Sequence, residues 1–277
     1  MARSGQSGLE SRRMTILRTS ALGLLLVLVA CEDPPKTDAA AAVTASAAAA
    51  PASVAPIVPP VPAPVASVQP QKKLAECGKG PNAEFDQPGL EDEIRKKLQK
   101  PEGAISLADL AKVHSLNLSQ AKRTARLDTC TLARLTTLKD LFLAPGDYDD
   151  LSPIAELKNL ESLSAAHSQV KDTAPLAKLK KLDRLDLGHS QVADLSTIAT
   201  LTTLTELTLD DTQITDVAPL AKLTKLEKLG IQRTQVKDAS PLKALKKLQI
   251  LYVAGTPADE DAVTLAGVRG NGTKVIN

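Results

Sequence analysis

Large rings are almost missing from this chain. Its 277 residues include two tyrosines, two phenylalanines and no tryptophan, so aromatics make up 1% of the total. A compact globular core normally leans on such rings, whereas stacked aliphatic side chains can do without them. Cysteine is also scarce, at three residues, and no two of them form a Cys-x-x-Cys pair. No glycine-rich phosphate loop and no serine, histidine and aspartate arrangement is present, so no enzyme activity and no cofactor is expected. A surplus of charge of one sign is missing as well. The formal +2 rests on residues 1–30, where Arg3, Arg12, Arg13 and Arg18 face Glu10; without that surplus of three the remainder carries −1. Phosphate backbones call for a strongly basic face, so nucleic acid is excluded as the main partner.

One apolar run, residues 21–30, includes Leu24, Leu25, Leu26, Val27, Leu28 and Val29 and ends at Cys31. It follows Arg18 and is too short to span a bilayer, which makes residues 1–30 a signal peptide, with Met1 or Met14 as the start. The residues Leu28-Val29-Ala30-Cys31 resemble the lipobox of bacterial lipoproteins. That resemblance implies cleavage before Cys31 and acylation of its thiol. The mature chain is then tethered to a membrane through a lipid anchor, in the bacterial cell envelope and at the outer membrane or cell surface rather than the inner membrane. Residues 31–71 collapse to alanine, proline, valine and serine, a linker too interrupted by proline for a helix and too poor in apolar bulk for a core. It would reach roughly 35 Å as a flexible coil and about 120 Å if extended.

Beyond the linker the chain repeats itself. Leu182, Leu204, Leu226 and Leu248 each open the phrase L-x-x-L-x-L at a spacing of 22 residues, and the period extends back to Leu160 and Leu138. A fixed period of this length marks a solenoid. Seven short strands centred on residues 117, 142, 164, 186, 208, 230 and 252 should pair in parallel, with their leucines turned inward. A hydroxyl follows the last five strands, at Ser168, Ser190, Thr212, Thr234 and Thr256, where it can serve buried backbone groups. Asp150, Asp172, Asp194, Asp216 and Asp238 come next, and a carboxylate there can accept from the amide two residues on and open a single helical turn. They lack the clustered acidic loop that calcium needs.

Ahead of the repeats, Leu90, Ile94 and Leu98 lie four apart between Pro88 and Pro101, a short amphipathic helix suited to closing the open end of the stack. From Phe85-Asp86 through this helix to Asp109-Leu110 and Leu116-Asn117-Leu118, the chain resembles the N-terminal cap of bacterial, internalin-like leucine-rich repeat proteins. The resemblance covers about residues 85–257 and implies recognition without catalysis. The expected fold is α/β: a leucine-rich repeat solenoid with a parallel β-sheet on the concave face, short helical or extended segments on the convex face and a helical N-terminal cap. Its parts are the cap at 72–112, the repeats at 113–257 and a C-terminal cap at 258–277, with a helix over residues 260–268 and a last strand at Lys274-Val275-Ile276.

Residues between the leucines should face outward from the concave sheet, and that face is where repeat proteins bind. Asp140, Phe142, Arg184, Asp186, Glu206, Thr208, Asp210, Lys228, Gln232 and Tyr252 are the candidate binding residues. His167, His189 and Asp211 form a row just beyond, in which zinc or copper could find ligands; paired polar residues along a strand ladder are the simpler reading, and no metal site is expected. Lysines before the strands and aspartates after them predict one basic and one acidic rim, which keeps a solenoid soluble. Cys77 and Cys130, an even pair in an exported domain, suggest a disulfide. The expected function is binding of another protein by a monomer through the concave arc. The alternative is a structural envelope component that binds cell-surface polysaccharide or peptidoglycan.

Overall fold

The computed structural model describes residues 73–277. The signal peptide of 1–30, the lipidation site Cys31 and the linker of 31–71 lie outside the described residues. Eight strands form a single parallel sheet in chain order: β1 (Ser115–Asn117), β2 (Asp140–Phe142), β3 (Ser162–Ser164), β4 (Arg184–Asp186), β5 (Glu206–Thr208), β6 (Lys228–Gly230), β7 (Ile250–Tyr252) and β8 (Lys274–Ile276). With stacked single-turn segments behind the sheet, this is a leucine-rich repeat solenoid.

Each strand is three residues long, and in β1 to β7 a leucine stands at its centre. Leu116, Leu141, Leu163, Leu185, Leu207, Leu229 and Leu251 pair in register from strand to strand, and all are buried. The centres fall one residue ahead of the expected positions because the paired stretch brackets the core leucine rather than following it. Side chains alternate across a strand, so the two flanking residues of each triplet face away from the core. Inter-repeat bonding continues past the strands, as in Leu143 N to Ser164 O and Ala165 N to Asp186 O, both at 2.9 Å.

Behind the sheet, five short 3-10 turns stack at Ser152–Ile154, Ala174–Lys178, Ile198–Thr200, Ala218–Lys222 and Ser240–Ala244. The aspartates open them. Asp150, Asp172, Asp194, Asp216 and Asp238 each accept from the backbone N–H two residues on, at 2.7 or 2.8 Å. Such a carboxylate satisfies an amide that the turn leaves free. Asp172→Ala should therefore lower stability by about 1 kcal/mol in a denaturant titration; an unchanged midpoint would show that water replaces the carboxylate at no cost. Ser168, Thr212, Thr234 and Thr256 donate to the carbonyl three residues back at 2.6 to 2.8 Å. Ser190, equally buried, has no such partner.

The N-terminal end is closed by α1 (Pro88–Leu98), with Leu90 and Ile94 buried against the first repeat. Next comes α2 (Leu107–Leu110), opened by a reciprocal cap in which the Ser106 hydroxyl accepts from Asp109 N and the Asp109 carboxylate accepts from Ser106 N. A third short helix, α3 (Thr129–Leu132), is entirely buried. Cys130 on α3 is joined to Cys77 with their α-carbons 5.3 Å apart. At the other end α4 (Ala262–Arg269) starts two residues later than expected, because Asp261 caps it by accepting from Val263 N and Thr264 N. Strand β8 then continues the sheet beside β7.

The first full repeat departs from the pattern at Pro145. In later repeats the equivalent residues, His167, His189, Asp211 and Arg233, have φ between 51° and 56°. Proline cannot adopt that conformation, and it has no N–H to give. The chain instead pairs Gly146 with Thr124 in an isolated parallel bridge. A β-carbon at Gly146 would overlap the Thr124 carbonyl oxygen, so only glycine permits this approach. Tyr148, two residues on, occupies the place held by Val170 in the next repeat and is 1% exposed.

Candidate functional site

The register of the sheet turns the sequence columns into rows of neighbouring side chains on the concave face. Asp140, Arg184, Glu206 and Lys228 lie in one column, and Phe142, Asp186, Thr208 and Tyr252 in the next. Asp210 and Gln232 follow just beyond their strands. Much of the charge cancels within the face. Lys228 Nζ lies 2.8 Å from Glu206 Oε1, and Arg184 reaches across Ser162 to Asp140 at 3.5 Å. Two carboxylates remain without an ion pair among the described residues. Asp186 accepts from Ser164 Oγ at 2.9 Å and from Gly188 N at 3.0 Å. Asp210 accepts from Gln232 N at 2.7 Å, yet burial pushes its carboxyl above the ordinary value.

The two concave aromatics are not neighbours. Phe142 ends β2 and is 36% exposed, whereas Tyr252 ends β7 and is partly covered. Five strand spacings separate them, about 24 Å at ~4.8 Å per strand. They can only anchor the two ends of a ligand, not form one patch.

Near the Tyr252 end the face is recessed. Glu206, Thr208, Asp210, Lys228, Gln232 and Tyr252 line a hollow of about 190 Å³ with Gly230 among them. The column that carries Thr208 and Tyr252 has no side chain at Gly230, and this gap opens the hollow. Gly230 stands in the sequence column, but a missing side chain announces a recess only once its neighbours are placed. A larger groove, about 520 Å³, runs between the start of α1 and the loop after β1. It is lined by Gln87, Asp92, Lys96, Asn117, Lys122 and Arg123 among others, none of them among the expected site residues. Arg123 is held at its rim by Asp147 at 2.6 Å.

The row beyond the concave columns serves the turn. His167 and His189 stack with centroids 4.2 Å apart and planes 13° from parallel, and His189 Nε2 lies 3.3 Å from Asp211 Oδ2. Arg233 closes the row with a two-pronged pair to Asp211, holding that carboxyl below its ordinary value. Parallel rings set their nitrogen lone pairs side by side rather than converging on one point. Among the described residues no group of three side chains is placed to hold a metal ion. All four residues sit in the left-handed region, a conformation that costs on the order of 1 kcal/mol for a side chain other than glycine. Each then donates its backbone N–H to the next repeat, at 2.8 or 2.9 Å. These bonds and the stacked side chains offset the strain.

The fold and its concave face define a leucine-rich repeat solenoid, an architecture that presents an extended surface for protein interaction. A family model, Leucine Rich repeats (2 copies), matches residues 202–244. Among solved structures the chain is similar to internalin C2 of Listeria monocytogenes, at 27% identity and a TM-score of 0.52, covering 66% of this chain and 89% of that one. It is also similar in fold to the internalin InlF of Listeria monocytogenes, at 24% identity and a TM-score of 0.51, covering 62% of this chain and 57% of that one. A leucine-rich repeat protein of Leptospira interrogans aligns at 20% identity and a TM-score of 0.49, over 62% of this chain and 51% of its own. No curated protein matches the sequence.

Proposed function

We propose that this chain is a non-catalytic, lipid-anchored protein of the cell envelope whose concave face binds another protein. In this reading Cys31 carries the anchor, the linker holds the solenoid away from the membrane, and a single copy presents the arc. The observation that supports it best is the concave face itself. It sets two aromatic side chains about 24 Å apart, with the unpaired carboxylates Asp186 and Asp210 between them. Such an arrangement fits an extended protein surface better than a small molecule. Aromatic side chains supply much of the binding energy of a contact once the partner covers them.

The test is capture of envelope proteins by the full chain, compared with Phe142→Ala and Tyr252→Ala. One stoichiometric protein prey is expected, with affinity falling about 30-fold for each substitution, or about 2 kcal/mol. Unchanged binding by both variants would remove the concave face as the site. Retention on purified cell wall without a protein prey would favour the structural role in its place.

A further inference from the structure

We propose that the hollow around Gly230 receives a cationic side chain, arginine or lysine, from the bound protein. The proposal rests on the concave-face reading and names the chemistry of one contact within it. Three observations carry it.

The first is shape. Thr208 and Tyr252 stand on either side of Gly230 in their column, while Asp210 and Gln232 lie along one flank and Glu206 and Lys228 along the other. A β-carbon at residue 230 would come within 2.9 Å of Asp210 Oδ1. Glycine therefore keeps the approach to that carboxylate open.

The second is charge. Lys228 is taken up by Glu206, and Arg233, the other cation close to Asp210, is taken up by Asp211. The hollow is left with one net negative charge, and Asp186, one strand beyond Thr208 in the Gly230 column, adds to the negative potential. An acidic guest would be repelled, and a purely apolar one would cover a carboxylate without pairing it, at a desolvation cost. A cation restores what burial has taken from Asp210, the effect already visible in its raised carboxyl.

The third is the company the cation would keep. Tyr252, Thr208 and Gln232 line the hollow with Asp210, so an aromatic ring and two polar side chains stand beside the carboxylate that an ammonium or guanidinium group would meet. One oxygen of Asp210 is engaged by Gln232 N, so the guest meets a carboxylate whose position is already set.

The experiment titrates the full chain with capped tripeptides whose central residue is arginine, lysine or citrulline, the neutral counterpart of arginine. Binding is followed by NMR at the backbone amides of Gly230 and Gln232. Millimolar binding of an arginine or lysine probe is expected at those amides, with citrulline at least tenfold weaker, and the tighter of the two cations identifies the guest. Asp210→Asn keeps an oxygen for Gln232 N and should weaken the cationic probes at least tenfold. Gly230→Ala pushes the Asp210 carboxylate off the position that Gln232 N holds, and because only a side-chain end has to shift, the variant should fold and lose the probes as well. Equal binding of citrulline, unchanged binding by Asp210→Asn, or no shift at Gly230 with either cation would overturn the proposal. If no cationic probe binds while Phe142→Ala and Tyr252→Ala still weaken prey capture, the proposal falls and the concave-face reading stands. If the probes bind while those two substitutions leave capture unchanged, the cation site is supported and the wider reading fails.

Discussion

Cys77→Ser will lower the stability of the cap and first repeats by about 4 kcal/mol. The bridge joins residues 53 apart in sequence, and the entropy that a crosslink removes from the unfolded chain grows with the logarithm of that length. Other ties hold the same segment, and they set what is left once the bridge is gone. Arg134 donates to the Gly78 carbonyl, Thr131 Oγ1 donates to Glu84 O at 2.7 Å, and the Asp128 carboxylate accepts from Asp86 N and Thr131 N, each at 2.8 Å. Asp128 is 1% exposed, and burial raises its carboxyl above the ordinary value. This network thus stands against a desolvation cost and holds best while the bridge fixes both strands of chain. Because each repeat touches only its neighbours, the damage should be local before it is global. Hydrogen exchange in urea should show α1 and α3 opening ahead of β4 to β7 in the variant, whereas in the parent chain they open together. An unchanged urea midpoint and unchanged exchange in α1 would mean that the polar ties alone suffice.

The repeat was legible because one physical requirement recurs at every turn of the coil. A buried leucine must occur at each point where the chain faces the shared core, and Leu163, Leu185, Leu207 and Leu229 meet it at the spacing seen in the sequence. The aspartates were legible for a similar reason, since each answers one unsatisfied amide. What escaped the sequence were features defined by neighbours or by backbone angles. The left-handed residue in each repeat is histidine, aspartate or arginine, and only Gly255 at the end of the series announces the conformation. Tyr148 lies among aspartates, where a tyrosine reads as surface, yet its ring fills the position that Val170 holds one repeat later. The candidate site was legible as columns, since register follows from the period. Its charge balance was not: that Arg184 skips a strand to reach Asp140 and Arg233 turns to Asp211, leaving Asp186 and Asp210 without an ion pair, depends on side-chain reach rather than spacing.

Leu207→Ala should cost roughly 3 to 5 kcal/mol and divide the molecule into two unfolding units. Leu207 is 1% exposed at the centre of β5, with Leu185 and Leu229 paired on either side. Removing its methyl groups forfeits their transfer energy and leaves a cavity, and both neighbours are themselves held in register by the sheet, so the site cannot easily collapse. A globular core would spread this loss over contacts from many parts of the chain. Here β1 to β4 and β6 to β8 communicate only through the repeat that contains β5. Two transitions should appear in denaturant where the parent chain shows one, with hydrogen exchange assigning one to each side of β5. The same cut bears on recognition. Glu206 and Thr208 flank Leu207, and the hollow around Gly230 is built on β5 and β6 together. Binding at that hollow should therefore raise the midpoint of the C-terminal unit while leaving β1 to β4 unmoved. A single transition displaced by less than 1 kcal/mol would show that the stack redistributes the loss, and that stability in this solenoid is shared further than neighbouring repeats.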